Sequence, residues 1–269
     1  MTEALADTSA SRVVQVGSIT FRLEGDPALV ERSRTFIYPL EPQRAGEGLP
    51  VRLVRGEGRL RAEGPTFAVE GATEEELLEQ LDYRLTCEAL ARDAGHTALH
   101  AACVGLEAGP VLLLGAHLSG KSTLAAALGR LGASVWSDDI TLLRGEPLGI
   151  LPVSRALRVR GDSARLLGVD TSGPTHRVSP SPPETDWRVP VACVRVKYTA
   201  GAAMEWTRPA SSDAMLALME STFGLAREPA RRLPHLAALI DRVPVFRFEY
   251  GAGPLEGARA LREFLEAGT

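Results

Sequence analysis

The stretch Val111 to Ser122, VLLLGAHLSGKS, determines the fold class of this chain. Its first four residues form an uninterrupted apolar run, which is typical of a strand buried on both faces of a sheet. A loop bounded by glycines follows, residues 121 to 131 (KSTLAAALGRL) predict a helix, and residues 133 to 136 (ASVW) predict a second strand. This strand, loop, helix, strand order predicts an α/β core.

The loop has the spacing G-x-x-x-x-G-K-S, and each fixed position has a physical reason. The glycines allow backbone N–H groups to turn inward around phosphates, Lys121 neutralises the β and γ oxygens, and Ser122 offers a hydroxyl to Mg²⁺. We therefore predict that ATP binds here with Mg²⁺; the preference over GTP rests only on the absence of an N-K-x-D motif. The predicted nucleotide-binding residues are Gly115, Ala116, His117, Leu118, Ser119, Gly120, Lys121, Ser122 and Thr123.

Two carboxylates, Asp138 and Asp139, follow the second strand of this unit. At the carboxyl end of a parallel strand they would lie beside the phosphate site. Neighbouring residues on an extended chain point to opposite sides, so one carboxylate could face the metal and the other an acceptor hydroxyl. The alternative is an Asp pair that caps a turn. His100 precedes the loop and could contact the same cluster, although a lone histidine usually has a structural role.

Composition excludes several classes of protein. The chain has 269 residues, of which 45% are hydrophobic and 24% charged, as in ordinary globular proteins. A net charge of -4 argues against a general nucleic-acid binder. No apolar run is long enough for a membrane span, and the N-terminus lacks a signal-peptide pattern, so we predict a cytoplasmic protein. The three cysteines show no CxxC spacing and predict neither a zinc site nor disulfides.

The order of elements predicts a small β-rich region over residues 1–72 and a nucleotide-binding domain over residues 73–269. Thr73 to Arg92 predicts a capped helix, and LHAACVGL predicts a strand that contains His100. Ser172 to Pro190 is rich in Pro and Ser, which predicts a long loop or lid. Other predicted strands cover residues 13–23, 51–69, 140–143, 156–160, 191–197, 203–206 and 245–248, and other predicted helices cover residues 213–223, 233–241 and 255–267.

The segment from Leu99 to Gly161 resembles the HPr kinase/phosphorylase superfamily, bacterial serine kinases related in fold to phosphoenolpyruvate carboxykinase. The likeness lies in LHAAC and in LLLGAHLSGKSTLAAALGRLGASVWSDD. The resemblance implies a mixed-sheet kinase core and transfer of the γ-phosphoryl group to a serine hydroxyl. It also implies that Asp138 is the base, that His100 hydrogen-bonds Asp138, and that Asp139 and Ser122 hold Mg²⁺.

The chain also departs from the pattern of that family. Its loop has His117-Leu118 where the family usually has Ser-Gly. Arg158 takes the place of a metal-associated glutamate, and a later P-G-R-N segment is absent, so we expect a kinase without reverse phosphorolysis. Arg158, Arg160 and Lys197 are candidate phosphate or substrate contacts, with a solvent-facing role as the alternative for each.

Three functions remain open from the sequence. The first is a kinase that acts on a serine of a protein or peptide, and the second is a kinase that acts on a small-molecule alcohol. The third is a binding protein in which ATP orders the Ser172 to Pro190 segment. We expect neither a nucleic-acid partner nor a membrane. Relatives in the family assemble, so the resemblance also allows a homo-oligomer.

Overall fold

The chain forms two units of mixed α/β structure, Met1–Ala94 and Gly95–Thr269. A computed structural model describes residues 10–37, 48–56, 58–154, 157–168, 175–178, 181 and 186–267. Within these residues, no helix is both long and apolar enough to cross a membrane.

The first unit contains a five-stranded sheet with the order β1-β2-β3-β4-β5. Strands β2 and β3 pair in parallel and the other neighbours pair antiparallel. Buried residues alternate with more exposed ones along the strands, which is the pattern of a sheet with one buried face. The elements are β1 Ala10–Val16, β2 Ile19–Gly25, α1 Pro27–Arg32, β3 Leu49–Arg55, β4 Leu60–Glu63 and β5 Ala68–Gly71.

Helix α2, Glu74–Arg92, packs against this sheet and confirms the predicted helix. Its cap is also as predicted, because the Thr73 side chain accepts a hydrogen bond of 3.2 Å from the Glu76 N–H. The predicted boundary at residues 72 and 73 separated this helix from the sheet, whereas the two units divide after it. The reason is that its apolar side belongs to the core of the first unit: Leu77, Leu78, Leu81 and Leu85 are fully buried.

The second unit is built on a six-stranded mixed sheet with the order β15-β16-β14-β8-β7-β9. Strands β16, β14 and β8 are parallel neighbours, and β7 pairs antiparallel with both β8 and β9. The strands are β7 Ala102–Leu106, β8 Gly109–Leu114, β9 Ser134–Ser137, β14 Ala192–Tyr198, β15 Glu205–Thr207 and β16 Val245–Tyr250.

Two helices cover each face of this sheet. One face packs on α3 (Lys121–Arg130) and α7 (Pro254–Glu266), and the other packs on α5 (Ser211–Glu220) and α6 (Pro229–Arg242). Strand residues alternate between the two cores, since Val111 and Leu113 lie on the α3 side and Leu112 and Leu114 on the α5 side. The apolar run in β8 is therefore buried on both faces, as the sequence predicted.

A smaller sheet explains an error in the sequence prediction. The predicted single strand around LHAACVGL is two strands, β6 (Thr97–Leu99) and β7, which belong to different sheets. Strand β6 pairs with β10 (Thr141–Arg144), which also pairs with β11 (Gly149–Pro152), a strand the sequence did not predict. The chain changes sheets at His100 and Ala101, so His100 lies in a break and not within a strand.

The predicted loop from Ser172 to Pro190 is wrong in part. Residues Thr175–Val178 form β13, which pairs antiparallel with β12 (Leu157–Arg160), and α4 (Gly161–Leu166) lies between these strands in the chain. Residues 171–174, 179, 180 and 182–185 lie outside the described residues. The other predicted strands and helices of the second unit are present, with ends that differ by a few residues.

The packing of α2 leads to a stability prediction. Leu81→Ala should lower the free energy of unfolding of the first unit by about 3 kcal/mol, because it removes a fully buried side chain and leaves a cavity. Urea unfolding followed by circular dichroism measures this change. Arg84→Ala, on the exposed side of the same helix, should stay within about 0.5 kcal/mol of the parent. Equal effects of the two substitutions would contradict the assigned packing.

Candidate functional site

The directions of the strands bring distant residues to one edge of the central sheet. Because β9 is antiparallel to β7 and β7 is antiparallel to β8, β9 runs parallel to β8. The carboxyl ends of β8, β9, β14 and β16 therefore meet the amino end of β7 at the same edge. The glycine loop (residues 115–122), the Asp138-Asp139 pair and His100 follow or precede these ends.

The two carboxylates come from a strand that is not a direct neighbour of the glycine loop strand. We expected the carboxyl end of the strand at residues 133–136 to lie beside the phosphate site in a parallel sheet. In the structure, β7 lies between β8 and β9. At about 4.8 Å between strands, β9 is about 10 Å from β8. The start of β7 lies in the gap between them, and His100 comes shortly before it.

The backbone of the glycine loop depends on two glycines. Gly115 and Gly120 have positive φ angles of 152° and 94°. A β-carbon at Gly115 would lie 2.4 Å from Ser119 Oγ and 2.8 Å from the Val196 carbonyl oxygen. No side chain larger than hydrogen fits there, so the loop closes tightly against β14.

Leu118 has a left-handed conformation, with φ at 66°, and it is the one non-glycine residue with a positive φ in the described part of the chain. Its side chain is 69% exposed, so apolar packing does not offset the conformational cost. This is the conformation that glycine would adopt most easily.

Lys121 is buried and its ammonium points back into the loop. It donates hydrogen bonds to the carbonyl oxygens of Gly115 at 2.8 Å and Ala116 at 3.3 Å. Burial lowers the pKa of Lys121, and the nearby charges of Asp139 and then Asp138 oppose that shift. The lysine is therefore a desolvated cation that bonds the loop carbonyls and lies within the electrostatic influence of the two carboxylates.

The same loop presents polar groups that suit a phosphate. Helix α3 begins at Lys121, and its N-cap residue Gly120 has no side chain, so the first N–H groups of the helix have no partner from a capping side chain. The Ser119 hydroxyl oxygen is buried and has no hydrogen-bond partner. Phosphate oxygens would satisfy both kinds of donor. Thr123 is engaged elsewhere, since its hydroxyl donates to Ser163 Oγ at 3.1 Å.

A serine fixes the turn that carries the carboxylates. The buried Ser137 hydroxyl donates to the Ile140 carbonyl oxygen at 2.8 Å and accepts from the Ile140 N–H at 3.2 Å. This turn gives the two aspartates different surroundings: Asp138 is buried, whereas Asp139 is partly exposed. The two carboxylates are therefore not equivalent toward a molecule that arrives from solvent.

His100 contacts Asp139, with 3.0 Å between Nε2 and Oδ1. The resemblance implied a bond from His100 to Asp138, and the structure places this contact one residue further along the chain. The backbone of His100 is also fixed, because its N–H donates to the Ser221 carbonyl oxygen at 2.6 Å. Phe223 lies beside the imidazole, with 5.8 Å between the ring centroids.

Phe223 has a firmly held backbone that the sequence gave no reason to notice. Its N–H donates to the Ala98 carbonyl oxygen at 2.9 Å, and its own carbonyl oxygen accepts from Arg232 at 2.7 Å. Arg232 is nearly buried and also bonds Glu228. The segment that flanks His100 is thus anchored to both β6 and α6.

Of the candidate contacts Lys197, Arg158 and Arg160, only Lys197 has a described side chain, and it pairs with Glu249. Lys197 donates to Glu249 Oε1 at 2.7 Å, which, together with bonds from Thr199 and Arg247, lowers the pKa of Glu249 to about 2. By alternation along β14, Lys197 lies on the α5 side of the sheet, away from α3. The side chains of Arg158 and Arg160 lie outside the described part of the structure.

Tyr198 is an aromatic residue at the glycine loop that sequence reasoning passed over. Its N–H donates to the Ser119 carbonyl oxygen at 2.9 Å, and its side chain is 46% exposed. The sequence pattern that could have identified Tyr198 is the alternation of strand residues, because Tyr198 follows the buried Val194 and Val196 on the α3 side of β14. A single exposed aromatic residue at the end of a strand is common on protein surfaces, so the sequence alone did not mark Tyr198 as functional.

The chain has a distant resemblance to a solved structure. The chain resembles the HPr(Ser) kinase/phosphatase from Coxiella burnetii, with 14% identity and a TM-score of 0.31 over 63% of this chain and 94% of that one. No protein-family model matches the sequence. No curated protein matches it either. The likeness is a distant resemblance in fold.

The conformation of Leu118 leads to a second prediction. Leu118→Gly should be more stable than Leu118→Ala by about 0.5 to 1 kcal/mol, because glycine has no steric penalty at this φ and that gain exceeds its entropic cost. Chemical denaturation of the two variants measures the difference. Both lack the leucine side chain, so the comparison isolates the backbone. A less stable glycine variant would show that the loop has a different conformation in solution.

Proposed function

We propose that this chain is an ATP- and Mg²⁺-dependent phosphotransferase that transfers the γ-phosphoryl group to a hydroxyl, most simply a serine of a protein or peptide. The observation that carries the proposal is the convergence of a glycine loop, a buried lysine and a histidine-linked pair of carboxylates at one sheet edge. A nucleotide switch needs the loop but does not need a carboxylate tied to an imidazole. Phosphoryl transfer to a hydroxyl uses a phosphate-binding loop, a lysine and a carboxylate that orients the acceptor.

Lys121 and the start of α3 would bind the triphosphate. In the structure the lysine ammonium bonds two loop carbonyls, and β and γ phosphate oxygens are stronger partners for it than neutral carbonyls. The uncapped helix start and the Ser119 hydroxyl supply further donors. The charge of the nucleotide would thus be met by groups that are already in place, which is the main requirement of this chemistry.

Ser122 and Asp138 are the residues we assign to Mg²⁺. Ser122 lies in the first turn of α3, directly after the lysine, and Asp138 is the more buried carboxylate. When bound, Mg²⁺ neutralises charge on the β and γ phosphate oxygens. Few protein ligands are needed, since Mg²⁺ usually keeps several waters and uses one or two carboxylates beside the phosphates.

Asp139 is the residue we assign as the base, which reverses the roles that the resemblance implied. Its carboxylate is half-exposed and accessible to an acceptor hydroxyl, whereas Asp138 is nearly buried. The 3.0 Å contact with His100 holds one carboxylate oxygen of Asp139. His100 would act as a positioning residue that fixes the direction in which Asp139 accepts the proton of the serine hydroxyl.

The surroundings of Asp139 suit a peptide acceptor. The partly exposed Phe223 ring lies beside His100, and its backbone is anchored on both sides. An apolar ring on an anchored backbone next to a base offers a contact for the residue that neighbours an acceptor serine. A protein or peptide acceptor, rather than a nucleic acid, also agrees with the net charge of -4.

Mass spectrometry of acceptors tests the proposal directly. The purified chain, ATP and Mg²⁺ are incubated with serine peptides, including any short peptide encoded beside its gene, and with small alcohols. We expect phosphoserine with the parent chain and none with Lys121→Ala, because that variant loses the cation that meets the β and γ phosphates. Phosphorylated alcohol without phosphopeptide would change the acceptor class. Unchanged ATP with every acceptor would refute phosphoryl transfer.

Substitutions of the two aspartates should have different effects on turnover and on ATP binding. Asp139→Asn should lower turnover by about 10² or more with ATP affinity unchanged, because it removes the base. Asp138→Asn should instead weaken Mg²⁺-dependent ATP binding. Single-turnover kinetics and titration calorimetry with and without Mg²⁺ distinguish these outcomes, and each variant is the isosteric control for the other. An active Asp139→Asn beside an inactive Asp138→Asn that binds normally would restore the roles from the resemblance.

A further inference from the structure

The carboxylates and the histidine lie on one side of the glycine loop, and an exposed aromatic residue lies on the other. In the sheet order β14-β8-β7-β9, the carboxylates come from β9 and the histidine from the start of β7. Tyr198 ends β14, which lies on the opposite side of β8 at about 4.8 Å. The loop therefore separates Tyr198 from the Asp138-Asp139 pair.

This arrangement fixes the direction of a bound triphosphate, if the proposed function holds. The γ-phosphoryl group must face the carboxylates in order to react, so the α-phosphate and the nucleoside must extend away from them. That direction leads from β8 toward β14. The first side chain there on the α3 side of the sheet is Tyr198, because Val194 and Val196 precede it in the same alternation.

The position of Tyr198 is set by contacts that do not involve its exposed surface. Its N–H donates to the Ser119 carbonyl oxygen at 2.9 Å, and the next N–H, of Thr199, donates to the Tyr250 carbonyl oxygen at 3.0 Å. The Tyr198 ring contacts the ring of Tyr250 edge to face, with centroids 5.3 Å apart. Tyr250 is buried, so the exposed ring rests on a fixed support.

Tyr198 also lies close to the start of α3. A β-carbon at Gly120 would lie 3.1 Å from Tyr198 Cβ and 3.1 Å from the Tyr250 hydroxyl. The base of the Tyr198 side chain therefore lies next to the residue before Lys121, while almost half of the residue's surface is exposed to solvent. An aromatic side chain held this firmly loses little conformational entropy when it contacts a ligand.

We propose that Tyr198 is the stacking platform for the nucleobase of the bound nucleoside triphosphate. This inference rests on the proposed function and names a residue that binds substrate without taking part in phosphoryl transfer. A π-face accepts any base, so stacking would supply affinity without a polar motif that distinguishes adenine from guanine. The absence of an N-K-x-D motif in the sequence agrees with such a site.

Titration calorimetry with two ligands tests the platform. MgATP contains a base and Mg²⁺ with inorganic triphosphate does not, so only the first can stack. We expect Tyr198→Leu to weaken MgATP binding about tenfold and to leave triphosphate binding within about twofold. Tyr198→Phe keeps the ring and should bind MgATP like the parent. Tyr83→Leu is the matched control, because it removes another exposed tyrosine, on α2 of the first unit.

Three results would overturn the proposal. An equal loss for both ligands in Tyr198→Leu would mean that the ring shapes the loop instead of contacting the base. Unchanged MgATP affinity in Tyr198→Leu would mean that the base lies elsewhere, and the proposed function would survive. A parent chain that binds neither ligand would refute nucleotide binding itself, and with it the platform. Thermal unfolding of each variant confirms that the affinities refer to folded protein.

Discussion

The direction of the strands in the six-stranded sheet is the constraint on which the site depends. Four carboxyl ends and two amino ends meet at a single edge because β8, β9, β14 and β16 run in one direction and β7 and β15 run in the other. Apolar cores on both faces hold these strands in register. Burial of the apolar strand residues therefore fixes the positions of the polar groups at the edge, although these polar groups contribute little to the apolar cores.

The glycine loop shows how a stable sheet can support an unfavourable local arrangement. A buried lysine with a lowered pKa and a leucine in the left-handed region both cost free energy. The loop keeps them because the strand before it and the helix after it are packed in the core. Proximity to Asp139 and Asp138 offsets part of the cost of burying Lys121, and in the proposed function the nucleotide phosphates would offset more.

Local patterns predicted the local parts of the structure. The Thr73 cap and the leucine spacing identified α2, and the apolar run before the loop identified β8, since both patterns follow from neighbours in the chain. The change of sheet at His100 and the pairing of β12 with β13 escaped prediction. Strand pairing joins residues that are distant in sequence, and neither β11 nor β13 has an alternation strong enough to reveal its partner.

The sequence by itself determined that a strand, a glycine loop and a helix occur in this order, and that a lysine, two aspartates and a histidine are available near them. The tertiary structure decided which of them meet: His100 contacts Asp139, Lys197 is held by Glu249, and Tyr198 lies at the loop. The physical reason is that the spacing of residues along a strand sets the face of a side chain, whereas its neighbours depend on the order and direction of strands in the folded sheet.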